Sequence, residues 1–275
     1  MVIHNSVLNK KGNIWMFWNK ALPTPSVVSL SSQMITVSVG DTLISGVHAH
    51  VSVVHRRVLW SKMEAISALK KPWLVIGDFN TIISIDEKVG GRSPHRRSML
   101  DFTECLDKCE LIQAPHSGLQ YSWSNGQQGT KRILCALDRA VYNQLWVQKY
   151  GNWNYKIGIR IASDHAPLLG GSNDIPKPLN CPKNFRKSGC LILDSWKCVF
   201  GDVHVKIKEA EKAVEESMSI SDDSPFDVES LNTLVDAENI FNSREVKLQT
   251  LLNQKAKIDW VKDGAANTAF FHTNL

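Results

Sequence analysis

The sequence predicts a mixed α/β fold followed by a helical extension. Three observations carry that expectation. Trp73 to Ile76 is an apolar run bounded by Pro72 and Gly77, the pattern of a buried strand. The stretch before it, His55 to Lys70, changes period. Val58, Leu59, Met63, Ile66 and Leu69 recur there at helical spacing, so a helix leads into the strand. After Leu169 the chain turns to glycine and proline and then to two long helical patterns.

Bulk properties bound the answer. At 275 residues the chain is long enough for a sizeable core and for more than one unit. Its 43% hydrophobic and 21% charged residues exclude a disordered chain. A net charge of +5 suits an anionic partner such as nucleic acid. No apolar run is long enough to span a bilayer, and the start is not that of a signal peptide, so an intracellular address is expected. The cysteines Cys105, Cys109, Cys135, Cys181, Cys190 and Cys198 contain no CxxC pair and are expected to be reduced, buried or idle thiols.

The elements follow in order. Ile14 to Trp18 reads as a short apolar strand after the turn Lys11-Gly12-Asn13, with no strand expected before it. Val27 to Leu30, Met34 to Val39 and Thr42 to Val51 continue as a meander. The helix and strand described above come next. The loop from Asp86 to Ser98 is basic, with Lys88, Arg92, His95, Arg96 and Arg97; it is either a solvated loop or a phosphate contact. Met99 to Cys109 has helical spacing. Short strands are expected at Leu111 to Gln113, Leu119 to Trp123, within Ile133 to Tyr142, and from Asn152 to Ile161. Helices are expected over 193–218 and 228–257, separated by a polar break from Ser219 to Pro225. The expected divisions are 1–171, a linker 172–192, and a helical segment 193–275.

Two polar clusters sit beside apolar runs: Asp78-Phe79-Asn80 and Ser163-Asp164-His165-Ala166-Pro167. In α/β sheets ligands gather at the carboxyl ends of strands. If the clusters meet, they form a carboxylate, amide and histidine site for a phosphodiester. Asp78 would orient or deprotonate the attacking water, and the neutral Asn80 amide would bind a phosphate oxygen. His165, as imidazolium, would stabilise the pentacoordinate transition state. Each cluster has a plain alternative as an Asx turn or a turn before proline. His48 and His50 share one side of their strand, which is ordinarily a surface pattern. The tryptophans Trp15, Trp18, Trp60, Trp73, Trp123, Trp146 and Trp153 are expected in the core rather than stacked on bases.

Taken together in order, Trp73 through Asn80, Tyr121-Ser122-Trp123, Leu137-Asp138-Arg139 and Ser163 through Pro167 resemble the endonuclease/exonuclease/phosphatase superfamily of DNase I-like proteins. More narrowly, they resemble the endonuclease region of plant LINE-type non-LTR retrotransposons. Gln254 through Gly264, then Asn267-Thr268 and Phe270-Phe271-His272, resemble the segment ahead of the reverse transcriptase in those elements.

The resemblance implies a four-layer sandwich of two β-sheets flanked by helices, followed by a helical extension. It implies Mg²⁺ (or Mn²⁺) as cofactor, DNA as partner, and the nucleus as the address of a functional copy. Asp78, Asn80, Asp164 and His165 take the catalytic positions, with Asp164 contacting metal or orienting the histidine. His48 falls where the family often has a tyrosine facing the phosphate. Asp138 and Arg139 fall beside the DNA-facing rim, and Arg92 and Arg96 lie in the basic loop as further substrate contacts. The family's opening strands, with an asparagine and a metal-binding glutamate, have no counterpart, and Ala265 stands where an acid is common. A truncated copy of weak or no nuclease activity is therefore expected. A non-catalytic nucleic-acid-binding remnant and a phosphatase of the same superfamily are the alternatives.

Overall fold

The computed structural model describes residues 2–6, 12–19, 21–161, 163–172 and 197–264. It begins with a two-stranded ribbon, β1 (Val2–His4) and β2 (Trp15–Phe17). β1 is a strand the sequence reading did not foresee; three residues are too few to show a period. The meander follows as β3 (Ser26–Leu30), β4 (Met34–Val39) and β5 (Thr42–His48). Helix α1 (Val53–Ser67) crosses to β6 (Trp73–Asp78), which pairs parallel to β5. A β5–α1–β6 crossover is the route parallel neighbours require.

After β6 come β7 (Lys88–Val89), helix α2 (Arg96–Lys108), β8 (Leu111–Gln113), β9 (His116–Gly118), β10 (Trp123–Ser124) and β11 (Leu134–Cys135). β12 (Asp138–Asn143), α3 (Gln144–Tyr150), β13 (Trp153–Ile157) and β14 (Leu168–Ser172) complete this part. The central sheet has six strands in the order β3-β4-β5-β6-β12-β8. Two further three-stranded sheets, β10-β11-β7 and β14-β13-β9, have no strand in common with it, and the whole is a mixed α/β architecture.

Packing follows the two faces of the central sheet. One face meets α1 and α2 through Leu59, Trp60, Met63, Phe79, Phe102 and Val141, all in one buried cluster. Trp60, Phe79 and Phe102 stack on one another with ring centres 5.0–6.5 Å apart. Elsewhere in the sheet, Ile14, Ile35 and Val37 form a second cluster with Ile3 and Met16 from the ribbon. Trp153 of β13 meets Tyr142 of β12 edge to face, and Trp146 of α3 likewise. Trp15 departs from the core expectation: it is 52% exposed. The described cysteines Cys105, Cys109 and Cys135 are free and buried, as the thiol reading expects. Cys181 and Cys190 lie outside the described residues.

Helix α3 was not legible as a periodic run, but its start has a cap. Asn143 Oδ1 accepts the Trp146 N–H at 3.0 Å and also the Trp73 N–H at 3.0 Å, tying α3 to the beginning of β6.

The chain divides into two compact units, 1–182 with Met218–Val228, and 183–217 with 229–275. Helix α4 (Lys197–Asp223) runs through the expected break at Ser219, and α5 is Val228–Gly264. Within the second unit the helices form a hairpin that buries Ile207, Val214, Leu231, Leu234 and Phe241. Most of the expected 172–192 linker lies outside the described residues, as do Asn267, Phe270 and His272; Gln254 to Gly264 fall on α5.

Gly77 sets the end of β6. Its φ is +144°, and a Cβ there would press into the Val47 carbonyl oxygen of the neighbouring strand. Gly77→Ala is therefore expected to destabilise by about 2 kcal/mol or more in urea unfolding. Gly171→Ala, where a Cβ meets open space, should change stability by less than about 0.5 kcal/mol. Equal effects would contradict the strand-end constraint.

Candidate active site

Three neighbouring strand ends bring the chemistry together. β5 and β6 run parallel with His48 opposite Asp78, and β12 runs antiparallel to β6 with Asp138 opposite Asp78. His48, Asp78 and Asp138 thus stand side by side at one edge of the sheet. His165 joins from the loop before β14: its Nδ1 lies 2.8 Å from Asp138 Oδ2. An ionised carboxylate only accepts, so Nδ1 carries the proton and Nε2 is the nitrogen left for substrate or metal.

The chain turns sharply after Asp78. Asn80 has φ +50°, in the left-handed region that asparagine tolerates better than most residues. Its backbone N–H donates to Asp78 Oδ1 at 2.7 Å, closing an Asx turn. Its side-chain Nδ2 donates to Asp78 Oδ2 at 2.6 Å and to the Ala49 carbonyl at 2.8 Å. Both partners are acceptors, which fixes the amide orientation. This corrects the sequence expectation for Asn80: its N–H groups are committed to the protein, and it holds the Asp78 carboxylate rather than presenting a donor to phosphate. The turn and the site are one structure.

Asp78 is 7% exposed, and burial, helped by the neighbouring Asp138 charge, pushes its carboxyl up to about 6. The Asn80 bond, His165 and Arg56 pull the other way without cancelling it. His165 is shifted up, chiefly by its hydrogen bond to Asp138. His48 is shifted down, by burial first and by the His165 charge second. The two imidazoles at opposite ends of the carboxylate pair are therefore pushed apart in charge. Asn13 Nδ2 lies 2.7 Å from His48 Nδ1, so the neutral His48 ring carries its proton on Nε2, 3.9 Å from Asp78 Oδ2.

Asp78, Asp138 and His165 each offer a ligand atom within 4.8 Å of the others. Two carboxylates and one imidazole suit a divalent cation, and the imidazole favours Mn²⁺ more than Mg²⁺. Asp164 is outside this group. It is exposed, and its Oδ2 accepts the Trp123 indole N–H at 3.0 Å, which holds its carboxyl below the usual range. Its carboxylate is turned to the neutral Trp123 indole, and among the described residues it is not in the group of close ligand atoms.

Arg139 also departs from expectation. It is 1% exposed, with its guanidinium forked onto Glu87 at 2.8 and 3.0 Å and bonded to Gln113 and the Ala136 carbonyl. A side chain so engaged is not at a DNA-facing rim. Arg92 and Arg96 are exposed, as a phosphate contact requires. His50 packs against His55 with ring centres 4.5 Å apart and is not in the group of close ligand atoms.

The role of Asp138 as the His165 partner was missed in the sequence. So was Ser122, whose Oγ accepts the N–H groups of Leu137 and Asp138 at 3.0 and 2.9 Å and whose carbonyl accepts the Ala166 N–H at 2.6 Å. Ser122 thereby spans the two segments that carry the pair.

Because Asp78 binds its proton more tightly folded than unfolded, its burial lowers stability as pH rises. The loss starts near the unfolded value of 3.8 and is complete above about 6, totalling about 3 kcal/mol. Asp78→Asn is therefore expected to be more stable than the parent at pH 8, by about 1–3 kcal/mol, and not at pH 4. Urea unfolding at both values checks this; equal differences at the two would contradict the buried charge.

No family model matches the chain, and no curated protein matches it. Among solved structures it is similar to a 3'-5' exonuclease (NExo) from Neisseria meningitidis, with 12% identity, covering 54% of this chain and 70% of that one, at a TM-score of 0.41. It is similar to the endonuclease domain of TRAS1, a telomere-specific non-LTR retrotransposon, with 11% identity, covering 63% of this chain and 80% of that one, at 0.47. It is also similar to CdtB, the biologically active subunit of cytolethal distending toxin, with 14% identity, 54% and 56% coverage, and 0.33.

Proposed function

We propose that the chain is a DNase I-like phosphodiester hydrolase that uses a divalent cation and acts on DNA, of LINE-type retrotransposon origin. One observation carries the reading: Asp78, Asp138 and His165, far apart in sequence, offer donor atoms within 4.8 Å of one another at the end of a core strand. Asp78, whose burial opposes its charge, stands beside a second acid and a histidine, a combination that recurs at functional centres.

Each residue has a part. Asp78, with a proton affinity near neutrality, takes a proton from the attacking water. Asn80 fixes the carboxylate through two hydrogen bonds. Asp138 holds His165 as the imidazolium, with Nε2 toward the phosphate, where its charge meets the charge that grows in the transition state. A divalent cation held by Asp78 and Asp138 would neutralise the phosphate further, with His165 left out of its ligands as the imidazolium. His48 adds an N–H at the same edge. The exposed Arg92 and Arg96, with the net charge of +5, supply the electrostatic attraction for a polyanion.

The purified full chain with Mg²⁺ or Mn²⁺ is expected to nick supercoiled plasmid weakly, in keeping with the low activity expected from its sequence. Asp78→Ala and His165→Ala should each lower the rate by about 100-fold or more. A parent protein that binds DNA in a salt-dependent way without nicking would replace this reading with nucleic-acid binding alone.

A further inference from the structure

We propose that Asp222, at the end of helix α4, is a positioning residue for the Asp138–His165 pair. The sequence marks this region only as a polar break, yet the turn from Met218 to Val228 belongs to the same compact unit as the strands. Asp222 is 4% exposed and sits between two buried arginines. Arg160 Nη2 donates to both its oxygens, at 2.7 and 2.8 Å, and Arg132 Nη2 donates at 3.2 Å. The neighbouring Ser221 accepts Arg132 Nη1 on its Oγ at 2.6 Å and on its carbonyl at 3.1 Å. Met218 is buried beside them, with its sulfur accepting the Arg160 N–H at 3.4 Å.

The cluster is joined to the candidate site through one short segment. Arg160 Nη1 donates to the Tyr121 carbonyl. Tyr121 precedes Ser122, which receives the Leu137 and Asp138 N–H groups on its hydroxyl and the Ala166 N–H on its carbonyl. Trp123 then bridges to His165, and Ser124 N–H donates to the Asp164 carbonyl at 3.0 Å. Segment 121–124 therefore touches the strand that carries Asp138 on one side and the loop that carries His165 on the other. Its own position is fixed by Arg160, whose guanidinium is forked onto both oxygens of Asp222. Arg160, left buried without the carboxylate it is forked onto, would have to move toward water, and Tyr121 would move with it.

This inference concerns the placement of the pair and stands apart from the hydrolase reading, because its readout is amide hydrogen exchange in the full-length chain. In Asp222→Asn, exchange at Leu137, Asp138 and Ala166 is expected to speed up by about tenfold or more, relative to Val37 and Ile44 in the central sheet. Ser221→Ala should act in the same direction more weakly. Should Asp222→Asn not fold, Asp222→Glu, which keeps the charge but displaces both arginines, is read the same way. Acceleration spread evenly over all five amides, or none at the three, would overturn the proposal. Loss of nicking with unchanged exchange would overturn it too.

Discussion

Asp78 and Asp138 face each other across β6 and β12, and almost no water reaches either of them. Two like charges at that separation, in that little solvent, oppose folding. The rest of the site is arranged around that cost. Asn80 gives Asp78 two N–H donors, His165 gives Asp138 one, and Arg56 contributes from a distance. None removes the conflict fully, so Asp78 retains its proton to about pH 6. A site in this state attracts protons, metal cations or an imidazolium. That is the property phosphodiester chemistry draws on, since it must move a proton and offset growing negative charge at one place.

The frame that enforces this conflict is backbone geometry. Gly77 allows β6 to lie against Val47 without a side chain between them, and Asn80 turns the chain back so that its amide meets Asp78. Ser122 ties the two strand segments that carry Asp138 and His165. Arg139 follows Asp138 on the opposite face of the strand, as period two requires, and its guanidinium is forked onto Glu87. Adjacent residues thus serve opposite faces: one carries chemistry and the other anchors the layer.

Much of this was legible in the sequence, for physical reasons that can be named. β6 stood out because a buried strand needs an uninterrupted apolar run. Asp78, Asn80 and His165 stood out because polar residues interrupt such runs at their ends. The Asp138–His165 bond was not legible, since its partners are 27 residues apart and meet only because segment 121–124 lies between β12 and the loop before β14. The burial of Arg139 was not legible either: a motif resemblance covers Asp138 and Arg139 together, and strand alternation sends them to opposite faces. The Asn143 cap of α3 was present in the sequence but lacked a periodic helix to announce it. The Arg132–Asp222–Arg160 cluster left no local signal at all: three charged residues on three segments become one buried group only after folding.

The account rests on Asp138 holding His165 as a cation beside Asp78. Imidazole titration by NMR in the parent and in Asp138→Asn tests it most directly. His165 is expected to titrate above the ordinary value of about 6.5 and above His48 in the parent, and to fall toward or below that value in the variant. A His165 that titrates at its ordinary value and does not respond to Asp138→Asn would contradict the account.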